Sequence, residues 1–121
     1  MEKKTVLVVE DDPDSREVFG ELLKAGGLEV VAVENGAAAI AYLEAHPRPA
    51  VIVLDMLMPQ MDGWQFRRAQ ANFPGLREIP LIVVSALKTV ERSARLFGAS
   101  EFLGKPFSGE QLLDAIARVA A

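Results

Sequence analysis

Six side chains in this sequence could do chemistry together: Glu10, Asp11 and Asp12 in a row, then Asp55, Ser85 and Lys105 far apart along the chain. Each stands at or just past the end of a short apolar run. Carboxylates gathered within roughly 5 Å would repel by about 3 kcal/mol per pair at an effective dielectric of 20, so such a set calls for a cation. The donors are all oxygens, the chain has no cysteine and its one histidine, His46, lies elsewhere. Hard Mg²⁺ suits that donor set. A carboxylate, a divalent metal, a lysine and a hydroxyl around one point fit phosphoryl transfer, which is mostly positioning and charge neutralisation. An aspartate can itself be the nucleophile, forming an aspartyl-phosphate. Taken singly, each residue also has an ordinary role: Asp55 as a turn former, Asp12 as a helix N-cap, Ser85 as a strand-end hydrogen bonder and Lys105 as a surface charge. Only their convergence makes a site.

Convergence depends on the elements that carry them. Apolar, β-branched runs recur at 5–9, 29–33, 50–54 and 80–85, with a shorter one at 101–103. The run Ala50 to Leu54 has no alternation, the pattern of a strand covered on both faces. Between the runs the spacing is helical. In the first helix Asp12 offers an N-cap, Pro13 the first helical position, and Val18, Phe19, Leu22 and Leu23 one stripe. Glu34, Asn35 and Gly36 form a turn and cap before "GAAAIAYLEA". Asp62 to Gln65 caps a third helix anchored by Trp64 and Phe66. The fourth, "KTVERSARLFGA", has a thin apolar face at Val90, Ala94 and Phe97. The last opens with "SGEQ", a capping box at Ser108 to Gln111, and buries Leu112, Leu113, Ile116 and Val119.

Five strands alternating with five helices imply parallel pairing through right-handed crossovers, hence an open α/β sheet covered on both faces. Ligands bind such sheets outside the carboxyl ends of the strands, where strand order reverses. With order 2-1-3-4-5, the acidic triplet and Asp55 meet across that point, and Ser85 and Lys105 lie on Asp55's other side.

The 121 residues suffice for one domain, 1–121. Half are hydrophobic and a quarter charged, which excludes a disordered chain. A net charge of -4 argues against a nucleic-acid partner. Absence of cysteine removes disulfide and thiolate chemistry and is compatible with a reducing compartment. The apolar run near the start is too short for a signal-peptide core and nothing later approaches a membrane span, so a cytoplasmic protein without membrane contact is expected. His46, before "PRP", is a loop residue, which gives no basis for a phosphohistidine relay within the chain. Met56, Met58 and Met61 read as loop packing.

Four segments, "VLVVEDD" at 6–12, "VLDMLMPQMDG" at 53–63, "VVSA" at 83–86 and "KPF" at 105–107, follow in an order and at intervals that are together highly specific. In them the chain resembles the receiver domains of bacterial two-component response regulators, of the single-domain, chemotaxis-regulator-like kind, over essentially its whole length. The resemblance implies a flavodoxin-like fold and phosphorylation of Asp55 by a sensor histidine kinase or phosphotransfer protein. It implies Mg²⁺ held directly by Asp11, Asp55 and the backbone carbonyl of Leu57, and by Glu10 largely through water. Ser85 and Lys105 would bind the phosphoryl oxygens, and Phe102 would turn inward as Ser85 moves. The changed face, formed by the fourth helix, the fifth strand and the last helix, would meet a downstream protein target or output domain. Its mixed charges, Glu91, Arg92, Arg95, Glu101 and Arg118, also permit a phosphorylation-dependent homodimer. Such a domain is not an enzyme in the turnover sense, although it assists its own phosphorylation and dephosphorylation. The Lys105–Pro106 peptide is expected to be cis.

Three departures from the family pattern matter. Ser85 stands where threonine is also common and keeps the hydroxyl, whereas Phe102 in place of tyrosine lacks a phenolic oxygen. Leu57 and Leu87 occupy positions often polar in the family and able to hold the hydrolytic water, so they are expected to lengthen the acyl-phosphate lifetime. Leu57→Asn should shorten that half-life, followed by the decay of the adduct's mass, and an unchanged half-life would discard the idea. Among alternatives, an aspartate-nucleophile phosphatase of the haloacid-dehalogenase kind needs a second aspartate where Leu57 stands. A flavin site needs a phosphate cradle and would be repelled by the acidic crevice. A phosphate-independent docking receiver stays open. A stand-alone receiver, or one excised from a larger protein, is expected.

Overall fold

The order of elements is β1 (Thr5–Val9), α1 (Pro13–Ala25), β2 (Glu29–Val33), α2 (Gly36–Ala45), β3 (Val51–Asp55), β4 (Leu81–Ser85), α3 (Val90–Leu96), β5 (Glu101–Gly104) and α4 (Gly109–Val119). The computed structural model describes residues 3–55, 78–88, 90–96 and 98–120. The expected third helix with Trp64 and Phe66, the methionines at 56, 58 and 61, and Leu57 and Phe97 lie outside these residues. The strands form one parallel sheet in the order β2-β1-β3-β4-β5.

Alternation along the strands explains why this sheet is covered twice. Val6, Val8, Val51, Val53, Ile82 and Val84 pack on one face with Phe19 and Leu23 of α1 and Leu112, Ala115 and Ile116 of α4. Leu7, Val9, Ile52, Leu54, Leu81 and Val83 point the other way, against Ala39 and Leu43 of α2 and Val90 and Ala94 of α3. Successive residues of a strand face opposite sides, so apolar residues at every position require helices on both. Burying each larger side chain contributes about 1.5–3 kcal/mol relative to exposure.

The caps hold the helices where the strands end. Asp12 accepts hydrogen bonds from the Ser15 N–H at 2.9 Å and the Ser15 hydroxyl at 2.8 Å, with Pro13 opening α1. At the far end of α1, Gly27 adopts φ 86°; its N–H donates to Lys24 O while Leu28 N–H donates to Leu23 O. This is the paired bonding of a Schellman motif, and the positive φ is why glycine stands there. Asn35 accepts from Ala38 N–H at 2.8 Å. Ser108 and Gln111 form the reciprocal capping box, at 3.1 and 2.8 Å.

One stripe residue departs from expectation. Val18 is 63% exposed, whereas Phe19 and Leu23 are buried and Leu22 partly so. The apolar face of α1 is wider than the sheet beneath it, and Val18 looks along the helix flank toward the loop between β5 and α4. Leu113 and Val119 of α4 are likewise only partly covered, and Ala115 takes a core position instead.

Candidate functional site

Sheet register builds the site. Val9 pairs with Leu54, so one residue further on Glu10 stands beside Asp55. Asp55 itself pairs with Val84, and Ser85 with Gly104, which brings Lys105 to the same end; the Lys105 N–H donates to Ser85 O at 2.8 Å. The Lys105–Pro106 peptide is cis.

The central contact is between Lys105 Nζ and Asp55 Oδ2, at 2.6 Å. Asp55's side chain is fully buried, while that of Lys105 is 30% exposed. Glu10 is also buried, at 2%. The end of the ladder explains the contrast with Asp11, which is exposed: the Glu10 N–H still donates to Val33 O of β2, and Asp11 lies one residue beyond. Burial, then the negative charge of Asp55, then the hydrogen bond a protonated Glu10 can give Asp55 push the Glu10 carboxyl up to about 7; Lys105 and Ser15 act in the opposite direction. Asp12 is committed to its cap, and the N–H and hydroxyl of Ser15 hold its carboxyl below the usual range.

Two buried oxygens, Oε2 of Glu10 and Oδ1 of Asp55, have no hydrogen-bond partner among the described residues. Buried acceptors without donors are costly, and a pair of them on adjacent carboxylates is satisfied by a proton or a cation. This donor set fits Mg²⁺, which takes one or two carboxylates and keeps several waters. The described residues do not gather a third acidic, histidine or cysteine side chain into the group, so Asp11 stands at the mouth rather than inside. The Leu57 carbonyl lies outside the described residues.

Ser85 is 1% exposed, and its Oγ accepts from the Leu87 N–H at 3.1 Å. Leu87 is 45% exposed. Phe102 is partly buried against the face that α3 covers, and its register partner is Val83. By alternation Ser85 lies on that same face, so the hydroxyl and the aromatic share the side of the sheet under α3.

Sequence reasoning passed over Arg16. Its Nη1 donates to Glu10 O at 2.8 Å and to Asp11 O at 3.1 Å. The available signal was a cation at the start of a helix that follows three acids. Beside the site, a groove of about 550 Å³ runs between α1 and the loop after β5, lined by Val18, Phe19, Leu22, Pro106 and Phe107 and bounded by Lys105.

Residues 6–117 match the family model described as Response regulator receiver domain. The chain belongs to the response regulator receiver domain family. The receiver is 37% identical over 118 residues to the response regulator protein FleR of Pseudomonas aeruginosa, covering 95% of this chain but 24% of FleR. It therefore spans about a quarter of that relative. It is 30% identical over 115 residues to the polar-differentiation response regulator DivK of Brucella anthropi, covering 93% of each. Among solved structures, the receiver domain of the sensor histidine kinase PA1611 of Pseudomonas aeruginosa superposes with a TM-score of 0.85 at 26% identity, covering 98% of both chains. That structure holds a magnesium ion in its active-site cleft. The flavodoxin-like topology and the family agree, and a receiver is a signalling domain of two-component systems. No helix among the described residues is long and apolar enough to cross a membrane.

Proposed function

We propose that this receiver accepts a phosphoryl group on Asp55 from a sensor histidine kinase or phosphotransfer protein, with Mg²⁺ as cofactor. The observation that carries this reading is the Asp55 carboxylate, fully buried at a strand end, with one oxygen on Lys105 at 2.6 Å and the other without a partner. In the transfer a carboxylate oxygen forms a bond to phosphorus, and the phosphorus–nitrogen bond of the donor histidine breaks with its electron pair leaving on nitrogen. Bound Mg²⁺ would neutralise charge on the transferring group, held through the carboxylates of Glu10, Asp11 and Asp55 and the Leu57 carbonyl. Lys105 is poised to follow the charge from the carboxylate onto a phosphoryl oxygen. Ser85, whose Oγ accepts from the Leu87 N–H, would swing to donate its hydroxyl hydrogen to another phosphoryl oxygen, with Phe102 filling the vacated space.

Readout would pass to α3, β5 and α4. Support comes from Leu96, 73% exposed on α3, and from the shared face of Ser85, Phe102 and the buried Val90 and Ala94. This face would take a downstream protein or output domain, or a second receiver. Leu87, open to solvent at the mouth, would shield the acyl phosphate together with Leu57.

Intact mass after incubation with acetyl phosphate tests the reading. One phosphoryl adduct that needs both Mg²⁺ and Asp55, and is absent from Asp55→Asn, is the expected result. No adduct where a control receiver is modified would overturn it.

A protein donor must rest on the rim of the site, and the groove bounded by Lys105 is the apolar surface continuous with it. Val18→Glu is therefore expected to slow transfer from a phosphotransfer protein active on the wild type by about tenfold, equivalent to 1.4 kcal/mol, while acetyl phosphate uptake is unchanged. Equal rates from the protein donor would remove the groove from the docking surface.

A further inference from the structure

The sequence around the acidic turn contains one cation, Arg16, and it stands where a helix disfavours one. It lies in the opening turns of α1, and its N–H makes an early helical bond to Asp12 O at 3.0 Å. Helix N-termini carry partial positive charge and favour anions. Among the described residues the guanidinium makes no ion pair with a carboxylate, although Glu10, Asp11 and Asp12 are its near neighbours in sequence. It bonds backbone instead, with a single nitrogen bridging the carbonyls of Glu10 and Asp11.

This choice of partners has a mechanical consequence. The Glu10 N–H already donates to Val33 O of β2 at 3.0 Å. The Glu10 peptide is thereby fixed on its N–H side by the sheet and on its carbonyl side by α1, and the next carbonyl, of Asp11, shares the same nitrogen. Two residues whose side chains must diverge, one inward beside Asp55 and one at the mouth, are held by their backbone. Their carboxylate oxygens are left for other partners. A lysine or arginine that paired with those carboxylates would occupy the same oxygens a cation needs.

We propose that Arg16 is a positioning residue of this site: by bridging the Glu10 and Asp11 carbonyls it sets the acidic turn for a divalent cation without touching cation or phosphoryl group. The proposal rests on the phosphoacceptor reading above. It assigns to the first helix a part in metal affinity. Partners that orient metal-binding groups typically govern affinity by tenfold or more.

The test is thermal unfolding as a function of Mg²⁺ concentration for wild type, Arg16→Ala and Arg16→Lys, with the Mg²⁺ dependence of acetyl phosphate uptake beside it. Wild type should gain stability as Mg²⁺ rises. Arg16→Ala should need about tenfold more Mg²⁺ for the same gain, with its saturated uptake rate much less affected than its half-saturating Mg²⁺. Arg16→Lys, which keeps a donor and the charge, should recover part of the affinity. Arg16→Ala with a lower metal-free melting temperature but an unshifted Mg²⁺ midpoint would reduce Arg16 to a structural contact and overturn the proposal. If wild type itself gains nothing from Mg²⁺ and takes up no phosphoryl group, the phosphoacceptor reading fails and the proposal with it. The two failures are thus distinct.

Discussion

Lys105→Met is expected to lower the unfolding free energy of the metal-free receiver at pH 8 by about 3 kcal/mol, the cost of removing one partner from a buried ion pair. Asp55 is fully buried and, among the described residues, its one charged donor, at 2.6 Å, is Lys105. Methionine keeps the aliphatic bulk and removes only the ammonium, so the loss reports charge rather than packing. The figure sits at the low end for buried pairs because the lysine side chain is 30% exposed and water can enter where it was. A double variant, Asp55→Asn with Lys105→Met, should be far less destabilised than the single one, since it leaves one buried carboxylate rather than two. Urea denaturation followed by circular dichroism measures both. A loss below about 1 kcal/mol in the single variant would put Asp55 in the class of solvated surface pairs and contradict the burial argument.

The same pair shows how far the sequence could be read. Asp55 and Lys105 are fifty residues apart, and nothing local connects them. A topological rule does, because consecutive parallel strands put their carboxyl ends on one edge, and apolar runs of five residues mark those ends plainly. Side-chain direction at the edge was harder. Glu10, Asp11 and Asp12 look alike as a run, yet they are a buried carboxylate, an exposed one and a helix cap. The end of the sheet ladder separates the first two, since the Glu10 N–H still bonds Val33 O and Asp11 lies beyond it.

Val18 and Arg16 were illegible for opposite reasons. Helical spacing groups Val18 with Phe19 and Leu22 because it measures angle around an axis. What covers that angle depends on the β5–α4 loop, eighty-odd residues away, and that loop leaves a groove instead of a contact. Arg16 was passed over because its partners are backbone carbonyls, which every sequence possesses and none displays. The thin stripe of α3 was read correctly at Val90 and Ala94, both fully buried. Small residues there leave the helix with little apolar anchorage, which is compatible with the readout through α3 proposed above.

Glu10→Gln is expected to make the metal-free receiver more stable than wild type above neutral pH, by up to about 3 kcal/mol from a rise of roughly two and a half pH units. The sign follows from proton binding. The folded state raises the Glu10 carboxyl from 4.5 to about 7, so between those values the folded chain holds a proton that the unfolded chain has released. Stability from this group is therefore full below pH 4.5, falls as pH rises through the window, and is lost above 7. Glutamine cannot ionise, and its amide can donate toward Asp55 as the protonated acid does. The difference in unfolding free energy between variant and wild type should grow from pH 5 to pH 8 in the absence of metal. Saturating Mg²⁺ at pH 8 should close it, because a divalent cation then serves the unpartnered oxygens of Glu10 and Asp55 in the wild type and has one carboxylate fewer in the variant. A difference independent of pH would show that Glu10 ionises freely in the folded chain. In that case burial would not disfavour the Glu10 carboxylate, and the two acceptors at the ends of β1 and β3 would already be solvated.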